Sequence, residues 1–578
     1  MNPASTPAET AKETCAVTAT GWLRNTRLLR AVERVLLAVA AIFFALHFVH
    51  LKADFPNHSP WMDWSKYTDE GWYGDAAIRH YQLGHWNVPG DFNPAAALPV
   101  WPAIEMALFR VTGVSLVAAR ALTVVVFGLT LVCSYVLIRR WLNTPEARSL
   151  APSIAVLLLA VSPFCYVFSR LAILEPLLIL MTLAALLAAS AAGAASAAST
   201  VGRLDSRFIV RSVVLGLLLP SMVLTKTTGV FLFPSIFWLL WAATGCRVRP
   251  FLRAAVLAGG VGAAVWGAYY GLFVRPHYLL DYRYLFSANA YTGITRATFW
   301  QVMHDAIFDG AWMGGTLFVL ALAAAIGLLA ALCVRRWRVN PLAVALLLWI
   351  FGYGAFLAYH ANLQPRYYVL LAVPLTLLVA IAFDAVLAAA LRYAWSMRLT
   401  VRLIAAAAGV ALIFAAASGA RQTVSFVRHP EYGWIGAAEQ IDAAIEADAA
   451  AHPDHSRLVL SISGSDLALM TGLPAICDDF GTLTLPDRVA KYRPGWFATW
   501  NDVDDDKMEA LAPLFRLVRV TAAPAFDDPE RNLLILYRLD AVAMPGPAGK
   551  PGRRRSMAVP NRLRTKVGEQ PDPVQLKH

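Results

Sequence analysis

Charge is scarce in this chain, and paired cysteine is missing. Only 15% of its 578 residues are Asp, Glu, Lys or Arg, 58% are hydrophobic, and the mean hydropathy is +0.53. Soluble domains carry about 25% charged residues, so this balance excludes an ordinary water-soluble protein. None of the six cysteines forms a Cys-x-x-Cys pair, which excludes a zinc ribbon or a disulfide framework. Cys133, Cys165, Cys246 and Cys333 read as small apolar residues in or beside apolar runs, and Cys477 has no evident partner.

What is abundant is the apolar run of about 20 residues, long enough to cross about 30 Å of hydrocarbon as a helix. Spans are expected near 33–51, 116–138, 151–168, 172–192, 209–225, 228–244, 254–274, 312–334, 341–360, 367–391 and 402–419, about eleven crossings. The net charge of +12 does not mark a nucleic-acid binder, because the basic residues gather at span ends. Arg24, Arg27, Arg30 and Arg34 precede the first run, and similar groups follow at 139–148, 203–211, 247–253, 335–338 and 392–402. Cytoplasmic loops hold the excess of Lys and Arg in membrane proteins, so all these groups belong inside. That constraint decides PAAALPVWPAIEMALFRVTG at 94–113. If it crossed, every later basic group would face outward and Glu105 would sit near the bilayer centre, so it reads as an interfacial helix.

The expected organisation is a polar cytoplasmic tail at 1–30, a membrane domain at 31–420, an α/β domain at 421–541 and a basic, disordered tail at 542–578. The N-terminus is then cytoplasmic and the α/β domain extracytoplasmic, in a multi-pass membrane protein. Within the membrane domain, outer loops fall at 52–115 and 275–311. The first carries TDEGWYGDAAIRHYQLG, with Tyr73, Ala76, Ala77, Tyr81 and Gly84 at the spacing of a surface helix. The small residues at 188–200 read as a span end running into a linker, and those at 259–264 as a close helix contact.

With that threading, polar residues converge on the outer face. Asp69 and Glu70 follow the first span. Arg170 and Glu175, in SRLAILEPLLIL, and Lys226, in LTKTTG, sit at short outer turns, with Gln364, Arg366 and Tyr367 in LQPRYYVLLAVPL. Each has a plain structural reading: Asp69 as a helix cap, Glu175 as a helix-start carboxylate, the cations as interfacial side chains whose tips reach water. Together they suit a substrate with an anionic head and a lipid tail. A carboxylate takes the proton of an acceptor hydroxyl, and Arg or Lys holds a phosphate as the sugar leaves it.

The motifs YTDEGWYGDAA, LGHWNVPGDFNP, ALPVWPAIEMALFRVTG, SRLAILEPLL, LTKTTG and QPRYYVLLAVPL occur in an order that resembles glycosyltransferase family 39, over roughly residues 30 to 400. That family comprises the dolichyl-phosphate-mannose protein mannosyltransferases and their bacterial relatives, including aminoarabinose transferases acting on lipid A. The resemblance implies a GT-C fold, an all-α polytopic membrane domain with surface helices and the active site at their junction. It implies hexosyl or pentosyl transfer, with inversion, from a polyprenyl-phosphate sugar to a glycan, lipid or protein acceptor. Asp69 is then the catalytic acid of an Asp-Glu pair supported by Glu70, and Glu175 the second acid. Lys226 and Arg366 engage the donor phosphate with help from Arg170, and Tyr73, Gln364 and Tyr367 line the site. FNPAAALP stands where the aminoarabinose transferases have Glu-Lys-Pro, a departure that weighs against lipid A as acceptor and against a metal bound through that Glu. No cofactor is implied, and a divalent metal is left open. The alternative is a transporter or flippase of a lipid-linked or anionic solute, but transporters place ionisable residues near the midplane, between internal repeats.

Overall fold

The computed structural model describes residues 26–542, apart from 92, 143–148, 200–205, 289–295, 309–311, 335–338, 361–362, 393–394, 502–504 and 530. Most of the expected N-terminal tail and nearly all of the basic C-terminal segment lie outside the described residues.

The chain begins with α1 (Thr26–Leu46), followed by the surface helices α2 (Asp69–Leu83) and α3 (Val100–Thr112). The membrane helices continue with α4 (Leu116–Leu142), α5 (Ala151–Ala160), α6 (Pro163–Phe168), α7 (Leu174–Ala198), α8 (Ser206–Thr225), α9 (Phe233–Ala243) and α10 (Val248–Tyr269). After α11 (Leu279–Ala288) and α12 (Arg296–Phe308) come α13 (Gly315–Cys333), α14 (Pro341–Tyr359), α15 (Val369–Arg392) and α16 (Trp395–Arg428). Among the described residues, eight helices are long and apolar enough to cross a membrane: α4, α7, α8, α10, α13, α14, α15 and α16. The protein is an integral, multi-pass membrane protein. Leu178, Leu186, Trp349 and Leu377 pack in the bundle core, while Val319 and Ile326 on α13, and Val410 and Ile413 on α16, stand exposed where lipid would cover them.

Three of the eleven expected crossings fall on other kinds of helix. α1 carries Arg27, Arg30, Glu33 and Arg34 in its first half. α5 has 10 residues and rises only about 15 Å; Ser162 then caps α6 by accepting from the Cys165 N–H, with Pro163 at the first position, so the chain breaks and restarts. The third divides into a 3-10 turn at Thr227–Leu232 and the 11-residue α9. The expected loop at 275–311 is helical where described: α10 runs on through a π-helical stretch, Tyr270–Tyr278, into α11.

Both surface helices form as the sequence leads one to expect. Gly84 ends α2 in the left-handed conformation at φ 76°, which costs glycine nothing. α3 has 13 residues, about 20 Å and too short to cross. Its Glu105 is fully buried and lies so close to Gly74 of α2 that a methyl group there would meet the carboxylate. Burial, then the neighbouring charge of Glu70, pushes the Glu105 pKa well up, which favours the neutral acid in this apolar contact.

The C-terminal domain contains α17 (Gly433–Ala451), β1 (Val459–Leu460), α18 (Gly464–Thr471), β2 (Ala475–Ile476), α19 (Leu485–Tyr492), β3 (Trp496–Trp500), α20 (Asp505–Leu511), β4 (Phe515–Pro524) and β5 (Leu533–Ala541). The sheet order is β2-β1-β3-β5-β4, parallel among the first three and antiparallel after. One face shares an apolar cluster with the surface helices, where Trp434, Leu467, Trp496 and Trp500 join Tyr67, Ile78, Trp101 and Phe109. The domain is therefore seated on α2 and α3 through a common core.

Candidate active site

Four chain segments meet at the end of the bundle that carries α2. Asp63 begins the first, capping a 3-10 turn at Trp64–Lys66 by accepting from the Ser65 N–H at 2.8 Å. Six residues later α2 starts at Asp69. The third contribution is Glu175, in the first turn of α7. Lys226 stands at the start of the turn before α9, and Arg366 lies in the 3-10 turn Pro365–Tyr368 that opens α15.

Arg366 is the hub. Its guanidinium pairs with Asp63 Oδ1, reaches Asp69 Oδ2 at 2.8 Å and approaches Glu175 Oε1 at 3.8 Å. Its backbone N–H donates to Asp63 Oδ2 at 2.8 Å, and the Trp64 N–H donates to Gln364 Oε1 at 3.2 Å. The turn that bears Arg366 is thus tied to the segment that bears Asp69. On the far side Glu175 pairs with Lys226. The ring of Tyr367 lies beneath both cations, 4.4 Å from Lys226 Nζ and 4.9 Å from Arg366 Cζ. Tyr73, one turn along α2 from Asp69, faces the charges of Asp69, Arg366 and Glu175, and burial followed by Asp69 raises its pKa well above the ordinary value. Burial also pushes the Asp69 carboxyl up, opposed chiefly by Arg366 and reinforced by Asp63 and Glu175.

Asp69, Glu175, Lys226, Arg366, Gln364, Tyr367 and Tyr73 therefore come together. Glu70 and Arg170 stand elsewhere. Neighbours on an α-helix point about 100° apart, so Glu70 turns away from Asp69 and is gripped by Arg120 at 2.9 and 2.5 Å while accepting the Ala172 N–H at 2.8 Å. Arg120 also donates to the carbonyls of Leu51 and Ala53. Arg170 lies over the Tyr166 ring and donates to the carbonyls of Val49 and His50. These two residues fix the chain leaving α1 and do not touch the Asp69 cluster.

Sequence reasoning missed Asp63 and Arg120. Asp63 had a signal: an Asp two residues before a Ser in WMDWSK can cap its own turn. Arg120 had one too, an Arg near the start of an apolar span. Asp63, Asp69 and Glu175 each meet a guanidinium or ammonium group, and among the described residues no three His, Cys, Asp or Glu side chains are grouped to hold a metal ion.

No protein-family profile and no curated protein matches the chain. Solved structures do. The crystal structure of ArnT from Cupriavidus metallidurans bound to undecaprenyl phosphate aligns with 90% of this chain and 98% of its own, at 15% identity and a TM-score of 0.56. The same protein in its apo state aligns over the same shares with a TM-score of 0.51. At that identity the likeness is one of fold, and it agrees with the helical arrangement described above: this chain has the GT-C fold.

Proposed function

We propose that the protein is a membrane glycosyltransferase that moves a sugar from a polyprenyl-phosphate donor to an extracytoplasmic acceptor, with inversion at the anomeric carbon. The observation that carries this reading is the convergence of a chain of charges, Asp69–Arg366–Glu175–Lys226, at the end of the bundle where surface helices meet membrane helices. The structural neighbour of the same fold was crystallised with undecaprenyl phosphate, which supports a lipid-phosphate donor here.

In this reading the acceptor hydroxyl attacks the anomeric carbon from the face opposite the phosphate. The new carbon–oxygen bond forms to the acceptor, the bond to phosphate oxygen breaks, and polyprenyl phosphate leaves with the electron pair. Asp69 accepts the hydroxyl proton, and a carboxyl raised by burial is a better base at neutral pH than an exposed one. Arg366 and Lys226 hold the phosphate as its charge grows, replacing part of their contact with Glu175, which otherwise keeps both cations in place. The basic groups at the opposite span ends support an extracytoplasmic position for this site.

The test is transfer from a polyprenyl-phosphate sugar in sealed vesicles of known orientation, with acceptor supplied on one face only. Wild type is expected to transfer when acceptor has access from the extracytoplasmic face, and Asp69→Asn to lose at least about a hundredfold. Full activity in Asp69→Asn removes Asp69 from the reaction, and transfer only from the cytoplasmic face reverses the orientation.

A further inference from the structure

The helix that begins with Asp69 has no cap of its own. In an α-helix the first four N–H groups lack intrahelical partners, and here Thr68, at the cap position, makes no side-chain bond to them. The missing acceptor comes from the C-terminal domain. Asp466, in the first turn of α18, accepts the Gly71 N–H through Oδ1 at 3.1 Å, across 395 residues of sequence. Asp466 is 2% exposed and its Oδ2 has no hydrogen-bond partner, so it is a polar side chain aimed into the junction and not at water.

The approach is built for backbone contact. A Cβ added at Gly71 would lie 2.2 Å from the Asp466 backbone nitrogen and 2.3 Å from the Ser465 carbonyl carbon, so only glycine lets α18 come this close. Contacts further along α2 hold the two helices in register: the Trp72 indole donates to the Ile462 carbonyl at 3.0 Å, the Ser465 hydroxyl donates to Asp75 at 2.7 Å, and Gln82 donates to the Leu473 carbonyl at 3.0 Å. The tie is reciprocal. Asp54, in the segment after α1, accepts the N–H groups of Trp434 and Ile435 at 2.8 and 3.4 Å and so caps α17 of the C-terminal domain.

We propose that Asp466 is a positioning residue for the reaction: it caps the helix whose first residue is Asp69 and so couples the docking of the C-terminal domain to the placement of the catalytic carboxylate. Asp466 touches neither donor nor acceptor. Its effect passes through the first turn of α2, because a frayed turn would let Asp69 leave Arg366, the residue that fixes it at 2.8 Å. Phosphate contacts come from Arg366 and Lys226, which stand on other segments, so losing the cap should lower kcat and leave the KM for donor nearly unchanged. This coupling to turnover rests on the glycosyltransferase reading, whereas the capping itself does not.

The experiment compares full-length wild type with Asp466→Ala, Asp466→Ser and Asp466→Asn in lipid nanodiscs by hydrogen exchange over residues 68–74 and by transfer kinetics. Alanine has no acceptor, the serine hydroxyl is too short to reach, and asparagine keeps Oδ1 without the charge. Exchange in the Ala and Ser variants is expected to rise about tenfold, within the range of a lost N-cap, with kcat falling and donor KM steady, while Asn stays within about twofold of wild type. If Ala fails to fold, Ser carries the comparison. Unchanged exchange in the variants that fold, or an Asn variant as impaired as Ser, overturns the capping role. Raised exchange with unchanged kcat overturns the coupling to turnover, and raised exchange in a protein with no transfer activity in any form, wild type included, leaves the capping established and defeats the glycosyltransferase reading instead.

Discussion

At the scale of single residues, adjacent carboxylates divide the labour. Asp69 faces Arg366, whereas Glu70 is locked to Arg120, with both partners of that second pair buried. A buried pair is costly to break because the charge left behind has no solvent, typically about 3–5 kcal/mol. Arg120→Met is therefore expected to lower the melting temperature markedly and to loosen the segment after α1, whose Leu51 and Ala53 carbonyls lose their donor. A melting temperature equal to wild type would show that the pair holds nothing. Part of this division was legible. The Asp-Glu pair, Glu175, Lys226 and Arg366 could be named because topology put them on one side, but the facing of Asp69 relative to Glu70 depends on which neighbour each meets. Asp63 signalled no more than a turn cap, and its place in the charge cluster depends on Arg366, which arrives from 303 residues away.

At the scale of elements, the junction between α17 and the segment after α1 carries its own pH dependence. Burial raises the Asp54 carboxyl from an ordinary 3.8 to about 7, opposed by the N–H groups of Trp434 and Ile435 and by Arg120, and reinforced by Glu431. The sign follows from proton binding. Between about pH 4 and pH 7 the folded protein holds this proton more tightly than the unfolded chain, so the contribution of Asp54 to stability falls as pH rises. Asp54→Asn keeps an acceptor for the helix N–H groups and removes the titration. Its melting temperature relative to wild type is therefore expected to be higher at pH 8 than at pH 5; a difference independent of pH would contradict the assignment. α2 was readable from the spacing of Tyr73, Ala76, Ala77, Tyr81 and Gly84. β2 has two residues and carries no alternation to detect. β3, WFATW, is buried along its whole length and so shows none either. The interruptions after α5 and at the Thr227–Leu232 turn were not legible, since hydropathy counts apolar residues and not where a Pro or a cap interrupts them.

At the scale of the whole molecule, a bundle of membrane helices ends in a cluster of paired charges, and a small α/β domain is anchored over the helix that supplies Asp69. The domain was visible in the sequence, but its docking was not: Gly71 and Asp466 are 395 residues apart, and neither pattern points to the other. The central claim is that the cations at the head of this cluster hold a lipid phosphate. It is tested most directly by the affinity of the full-length protein for a polyprenyl phosphate in nanodiscs, measured for wild type, Lys226→Ala and Arg366→Ala after each is shown to be folded. Loss of a charged hydrogen-bond donor should weaken binding about tenfold or more in each variant, and affinities equal to wild type in both would contradict the account.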